Sequence, residues 1–335
     1  MPKQAGQGGC KWRPPPVADI ASPPGSPALA LQPGPWRRFA ASDLLWSFRR
    51  SPVTVMAAAV AFIVIAAAAL APLIAPHNPY DLASLSLLDA TDPPAWLKDG
   101  NWSYPLGTDN QGRDVLSTIL YGTRLSLVVG VSAVLLSLLL GVTLGLVAGW
   151  RGGWIDTVIM RVADVQLSFP AILIALLIDG VARTILPRDA QNEITLYVLI
   201  TAIALSYWVH FARTVRGSTM VERSKEYIQA ARVIGVHPAR IVIGHLLPNV
   251  IGPVLVIATI NLATAILTEA TLSFLGVGLP PTEPSLGTLI RVGNDYLLSG
   301  DWWISVFPGI VLALLILSVN LLGDWLRDAF NPKLR

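Results

Sequence analysis

Residues 224–248 read SKEYIQAARVIGVHPARIVIGHLLP, a stretch too regular to be a plain connector. Lys225, Gln229 and Arg232 fall at i, i+4 and i+7 and make one polar stripe of a helix, while Tyr227, Ile234 and the small Ala230 and Ala231 supply an apolar flank. Gly235 stands where a left-handed residue closes a helix cheaply. Pro238 then occupies a first helical position, and Ile241, Val242 and Ile243 carry a second helix until Pro248 disfavours its continuation. The spacing predicts helix, turn, helix, held between long apolar segments on either side.

Working outward, six apolar runs are long enough to cross a hydrocarbon core of ~30 Å as helices: Val53–Leu73, Leu125–Ala148, Ile155–Ile178, Thr195 to Val209 continuing into Phe211, Ile251–Leu275 and Trp303–Leu322. The third carries Asp156, Arg161 and Asp164 in its first half and Pro170 past its middle, which marks it as an inner helix. Composition agrees with a membrane solvent. Of 335 residues 53% are hydrophobic and 13% charged, against roughly 25% charged in a soluble domain. The expected fold is all-α and polytopic, with the lipid bilayer as its surroundings and both termini on one side.

Charge then selects the side. Under this topology one face holds 17 Lys and Arg, including the six between Arg213 and Arg240, and the other holds 6, so the termini and the two-helix loop are expected in the cytoplasm. Acids lean the other way, with Asp81, Asp89, Asp92, Asp99, Asp109 and Asp114 between the first two spans and Trp96, Trp102, Trp302 and Trp303 at the outer interface. Lys and Arg number 24 against 21 Asp and Glu, a balance that gives no reason to expect a nucleic-acid partner. Residues 1–45 are rich in Pro, Gly, Ser and Ala and read as a disordered cytoplasmic tail. Residues 46–124 hold the first span and an outer segment, and 125–335 the remaining five spans with the loop 224–248. Cys10 stands alone, so no internal disulfide framework exists. His77, His210, His237 and His245 are scattered over loops and span ends, which argues against a metal site built by this chain.

The Gln229-Ala230-Ala231, Gly235 and Leu247-Pro248 spacing resembles the Glu-Ala-Ala loop of ATP-binding-cassette importer permeases, with Gln229 where that loop has glutamate. Pro105 to Asp109, Gly112 to Asp114, Leu167 to Pro170, Ser273 to Gly276 and Asn320 to Arg335 are similar to the peptide and nickel branch, in particular to the second permease of dipeptide and oligopeptide systems. The resemblance spans about Trp46 to Arg335. It implies an importer-type permease fold in a bacterial inner membrane. It also implies a homologous permease as heterodimer partner, two ATPase subunits that carry the ATP and Mg, and an extracytoplasmic solute-binding protein. No cofactor is implied for this chain, nor any catalysis of its own. Lys225, Glu226, Gln229, Ala230, Ala231, Gly235, Leu247 and Pro248 would form the ATPase-coupling loop, the small alanines allowing close approach to the partner. Short peptides are the implied cargo, with nickel chelates, glutathione or peptide-like compounds as alternatives.

Two further groups of residues carry expectations. Gly107, Thr108, Asp109, Arg113 and Asp114 lie just before the second span and either meet a binding protein or outer gate, or form a local helix cap and ion pair. Within the spans, Arg161 and Asp164 at i, i+3 either neutralise each other or gate the path, and Glu269, with no obvious partner in the sequence, is a candidate for lining it. The outer segment from Gly276 to Trp302 is apolar enough to fold back on the bundle mouth. A proton-coupled carrier would call for an acid relay and an internal repeat, and neither is evident. The absence of His-Glu-x-x-His, Gly-x-Ser-x-Gly and Walker-type patterns argues against an enzyme and against ATP binding by this chain.

Overall fold

Proline, glycine and side-chain caps set the helix boundaries in the computed structural model, which describes residues 43–81, 86–185, 188–280 and 282–329. The proline-rich tail and Cys10 lie outside the described residues. Ser47–Arg335 forms one compact unit. Its first long helix, α1 (Pro52–Ala69), starts at Ser51, whose hydroxyl accepts the Thr54 N–H at 3.3 Å, and after Leu70 one more turn, Ala71–Ile74, completes the expected first span.

Helix α2 (Val115–Arg151) is 37 residues long and begins ten residues before its apolar run. Asp114 caps it, accepting the Ser117 N–H at 2.9 Å. At the far end Gly152 and Gly153 both take positive φ, 66° and 60°, a pair of left-handed residues that turns the chain sharply into α3 (Gly153–Leu167). The Arg223 guanidinium donates to the Gly149 and Trp150 carbonyls at 2.8 and 3.1 Å, satisfying groups that a helix end leaves open.

The third span is not one helix. Where a single segment from Ile155 to Ile178 is expected, α3 and α4 (Ala171–Ile185) meet at 94° across Ser168 to Pro170. Pro170 lacks an N–H and its ring clashes with the preceding turn, so the helix breaks there. Helix α5 (Arg188–Glu222) follows, then the loop helices α6 (Glu226–Val233) and α7 (Pro238–Ile241).

Nor does Pro248 stop the second loop helix. A π turn at Val242–Leu246 links α7 to α8 (Leu247–Phe274), and the Leu247 N–H reaches back to Val242 O. The π turn thus accommodates Pro248, whose missing N–H removes one bond from a helix that continues past it. Helix α9 (Leu286–Tyr296) and α10 (Trp303–Ala329) complete the bundle. Five helices are long and apolar enough to cross a membrane, and the bent pair makes a sixth crossing if its halves are counted together.

Two large cores and a smaller one around Ala163, Trp208, Val209 and Ala212 hold these helices. Val129 and Ala133 of α2, Ala175 of α4, Leu199, Ile203 and Phe211 of α5, and Val254 and Leu272 of α8 form one. Ile119 of α2, Ile266 of α8, Leu286 and Leu289 of α9, and Leu312 and Leu315 of α10 form the other. The expected folding back of the outer segment is present, since α9 packs between α8 and α10. In lipid, apolar burial adds little to helix association, so close backbone approach and polar contacts must supply it. Both occur here. A Cβ placed on Gly141, Gly145 or Gly149 of α2 would lie 2.4 Å from Phe211 Cβ, 2.6 Å from Ala212 O or 2.7 Å from Thr219 Cβ, all on α5. Tyr207 and Thr268 share a hydrogen bond of 2.7 Å between α5 and α8.

Gly145→Leu is therefore expected to separate α2 from α5 at a cost of about 1–3 kcal/mol or more. It should appear as a lowered melting temperature and aggregation on size-exclusion chromatography of the detergent-solubilised protein. Gly217→Ala, in open space on α5, should leave both unchanged or slightly improved.

Candidate functional site

The two-helix loop closes on itself before it meets anything else. Gly235 has φ 84°, the Val236 N–H donates to Ala231 O at 3.0 Å and the Gly235 N–H to Arg232 O at 3.1 Å, the paired bonds of a glycine-terminated helix. Ile228, Ala231, Ile241 and Leu246 make a small core with Trp150, the penultimate residue of α2. The expectation that both alanines face a partner is corrected by this packing: Ala231 is turned inward, and only Ala230 is exposed. The outward face instead presents Glu226, Gln229, Ala230 and two large apolar side chains, Val233 and Ile234, 88% and 79% exposed.

Polar tethers hold the loop to three spans. The Lys225 ammonium lies 2.8 Å from Glu222 at the end of α5. Tyr227 donates its hydroxyl proton to Glu222 at 2.5 Å and accepts from the Asn249 amide at 3.2 Å, joining α6 to α5 and α8. The Arg232 guanidinium carbon stands 4.3 Å over the Trp150 ring of α2, a cation–π contact of roughly 0.5–1 kcal/mol at an exposed site. Burial, and after it the Glu222 carboxylate, push the Tyr227 phenol up to about 12. Leu247 and Pro248 lie on the first turn of α8, beyond the loop proper. Trp150, Glu222 and Asn249 hold the loop in place and are not foreseen from the sequence; they sit at the ends of spans, and no local spacing joins them to the loop.

At the other end of α2, the Gly107 to Asp114 segment is a built turn. Thr108, Asp109, Arg113 and Asp114 are all 2% exposed or less. Asp109 receives the Arg113 Nε proton at 2.7 Å and the Arg113 backbone N–H at 2.9 Å. Thr108 O accepts from the Trp303 indole at 3.1 Å, tying the turn to α10. Gly107 has φ 82°, and a Cβ there would come 2.6 Å from Asp92 O. The expected cap and ion pair are both present, and all five residues are buried.

The intramembrane charges also pair differently from their sequence spacing. Asp164 binds Arg213 of α5 and not Arg161, and Asp156 takes Arg216 through two bonds of 2.5 and 2.6 Å. With the Trp208 indole donating to Gln166 at 2.7 Å, these contacts make a polar seam between α3 and α5. Arg161 is exposed on α3. Glu269 is fully buried, and its partners are in this chain after all: Ser126 of α2 donates at 2.7 Å and Ser273 at 2.8 Å, while Ser126 also accepts the Leu286 N–H at the start of α9. It joins three helices and does not line an open surface. Among the described residues no cluster of His, Cys, Asp and Glu fits a metal ion.

Comparison with known proteins gives the class of this bundle. The binding-protein-dependent transport system inner membrane component model matches residues 141–335, from within α2 to the C-terminus. The chain belongs to this family of importer permeases. The model for the N-terminal TM domain of oligopeptide transport permease C matches residues 35–95. The permease is 37% identical over 266 residues to a dipeptide transport system permease protein of Haemophilus influenzae, covering 79% of this chain and 85% of that one. It is 39% identical over 288 residues to a dipeptide transport system permease protein of Escherichia coli, covering 86% and 91%. A putative peptide transport system permease protein of Brucella suis is 40% identical over 273 residues, covering 82% and 85%. Its fold is shared with a chain of the inward-facing MetNI methionine ABC transporter at TM-score 0.51 and 21% identity, over 64% of this chain and 96% of that one. Like other members, it is a non-catalytic subunit of an ABC importer.

Two outcomes follow from the site geometry. The Tyr227 contribution to stability should be full below pH 10, its ordinary value, and fall as the pH rises toward 12, because the folded chain holds the proton longer. Ultraviolet titration should accordingly lose one tyrosine's share of the change near pH 12 in Tyr227→Phe. Glu269→Ala should lower the melting temperature by leaving buried hydroxyls without their acceptor, about 1–3 kcal/mol for each such group, whereas Glu269→Gln, which keeps an acceptor oxygen, should lower it less.

Proposed function

We propose that this permease imports short peptides as one half of a heterodimer with a homologous permease, driven by two ATPase subunits at the loop end and fed by a solute-binding protein at the opposite end. The loop end is cytoplasmic, as are both termini; the excess of Lys and Arg on that face supports this orientation. ATP and Mg belong to the partner ATPases, and this chain holds neither. Peptide cargo is supported by the names of the relatives, three of which are peptide or dipeptide permeases.

The observation that carries the coupling role is the division of the loop into an inward face that is packed and tethered and an outward face that is bare. Val233 and Ile234 offer an exposed apolar knob at the C-terminal end of α6, and an ATPase groove that buried it would recover about 25 cal/mol per Å² of apolar surface. When the ATPases close, displacement of α6 passes to α2 through Trp150, to α5 through Glu222 and to α8 through Asn249. Three spans move from one point of contact, which is what a switch between inward-open and outward-open packings requires.

Val233→Glu with Ile234→Glu places two charges on the bare face and leaves the buried face intact. The double variant should insert and fold normally yet lose the ATPase on co-purification and reduce peptide uptake to the level of a deletion strain. Retained ATPase and retained uptake would refute the coupling role. A deletion strain whose labelled-peptide uptake equals that of its complemented parent would refute the cargo.

A further inference from the structure

At the end of the bundle opposite α6, a cleft of about 270 Å³ is lined by Tyr80, Tyr121, Arg124, Leu125, Val128 and Glu283. Four of these form one stripe of α2 at i, i+3, i+4 and i+7. The other two come from segments held against that helix. Tyr80 meets Tyr121 edge to face, with ring centroids 5.2 Å apart. Glu283 lies on a turn closed by its own N–H donating to Pro280 O at 3.0 Å, and the next residue passes so near α2 that a Cβ on Gly122 would lie 3.1 Å from Pro284 O.

The chemistry of the cleft has two signs. Arg124 and Glu283 are both exposed, and among the described residues neither forms an ion pair with another. Both charges reach the Tyr80 phenol, which is raised first by burial and then by Glu283 and is lowered by Arg124. A guanidinium takes a carboxylate through parallel N–H donors, a carboxylate accepts the N–H bonds of an ammonium, and tyrosine faces suit apolar side chains or a cation. A ligand with an ammonium at one end and a carboxylate at the other answers both poles. The volume falls just under the range of small-ligand clefts, about 300–1,000 Å³, a size nearer to a dipeptide than to a folded chain.

We propose that this cleft is a zwitterion subsite of the permease itself, Arg124 taking the C-terminal carboxylate and Glu283 the N-terminal ammonium of a short peptide. It rests on the peptide-import reading and deepens it, since it places part of the selection for free peptide termini in the membrane subunit. A lipid headgroup with an ammonium and a phosphate carries the same two charges, and the test separates the two sources.

The assembled transporter, without its binding protein, is placed in nanodiscs of phosphatidylglycerol alone, and saturation-transfer NMR follows the free dipeptide alanylphenylalanine. Binding is expected for the native transporter and should be about tenfold weaker for the N-acetylated or C-amidated dipeptide, as for loss of one charge-assisted bond. Arg124→Gln and Glu283→Gln should each weaken binding similarly, the charge swap Arg124→Glu with Glu283→Arg should restore it, and Lys98→Gln should leave it unchanged. Equal binding of free and capped dipeptide, or no effect of either single variant in correctly assembled transporter, would overturn the subsite. Loss of dipeptide binding when phosphatidylethanolamine is added would assign the cleft to the headgroup instead. Uptake with the binding protein present keeps the two readings apart: native uptake with an unchanged KM in both single variants sinks the subsite alone, whereas dipeptide binding without native uptake sinks the import reading alone.

Discussion

The contact between α2 and α5 is the constraint from which the rest of the molecule is built. Three glycines on α2 bring the two backbones to a separation that no larger residue permits, and in a solvent as apolar as the side chains this closeness is a main source of attraction. Because the seam is close-packed, α2 behaves as a rod with both ends committed. One end carries Trp150 beneath Arg232 and lends its last carbonyls to Arg223. The other is capped by Asp114 and carries Ser126 to Glu269 and Arg124 to the outer cleft. The two ends are joined by one packed helix and not by a chain of loops.

Several polar groups within the bundle are answered from another helix. Asp156 and Asp164 of α3 are met by Arg216 and Arg213 of α5, Gln166 by Trp208, Tyr207 by Thr268, and Glu269 by Ser126. An unanswered group at this depth costs several kcal/mol, so these pairings fix which helices lie side by side and at what height. The polar seam between α3 and α5 pairs both acids of α3 with arginines of α5, on the segment that lies bent at 94° from α4.

Much of this was legible in residue order, for identifiable reasons. Apolar runs, Pro238 and Gly235 act locally, so the spans and the loop could be read from them. The start of α2 at Val115 could not, because its first ten residues mix Thr118, Tyr121 and Arg124 with apolar positions and are held by α9 and α10. Arg161 and Asp164 are good neighbours on a helical wheel, yet the preferred cation for Asp164 is 49 residues away. The inward turn of Ala231 depends on Trp150, Ile241 and Leu246, which reach it from three other elements. Pattern along the chain identifies what a helix is made of; which face it hides is decided by what folds against it.

The π turn between α7 and α8 changes what kind of object the loop is. From Pro238 to Phe274 the chain is one uninterrupted helical rod of 37 residues, so the second half of the loop is the protruding end of a span and not a hinged attachment. A grip on that end exerts torque as well as thrust, and rotation of a helix carries side chains sideways at every level along it. Thr268 and Glu269, about 45 Å from Pro238 at 1.5 Å per residue, would swing with it, as the far end of an axle turns with the near one.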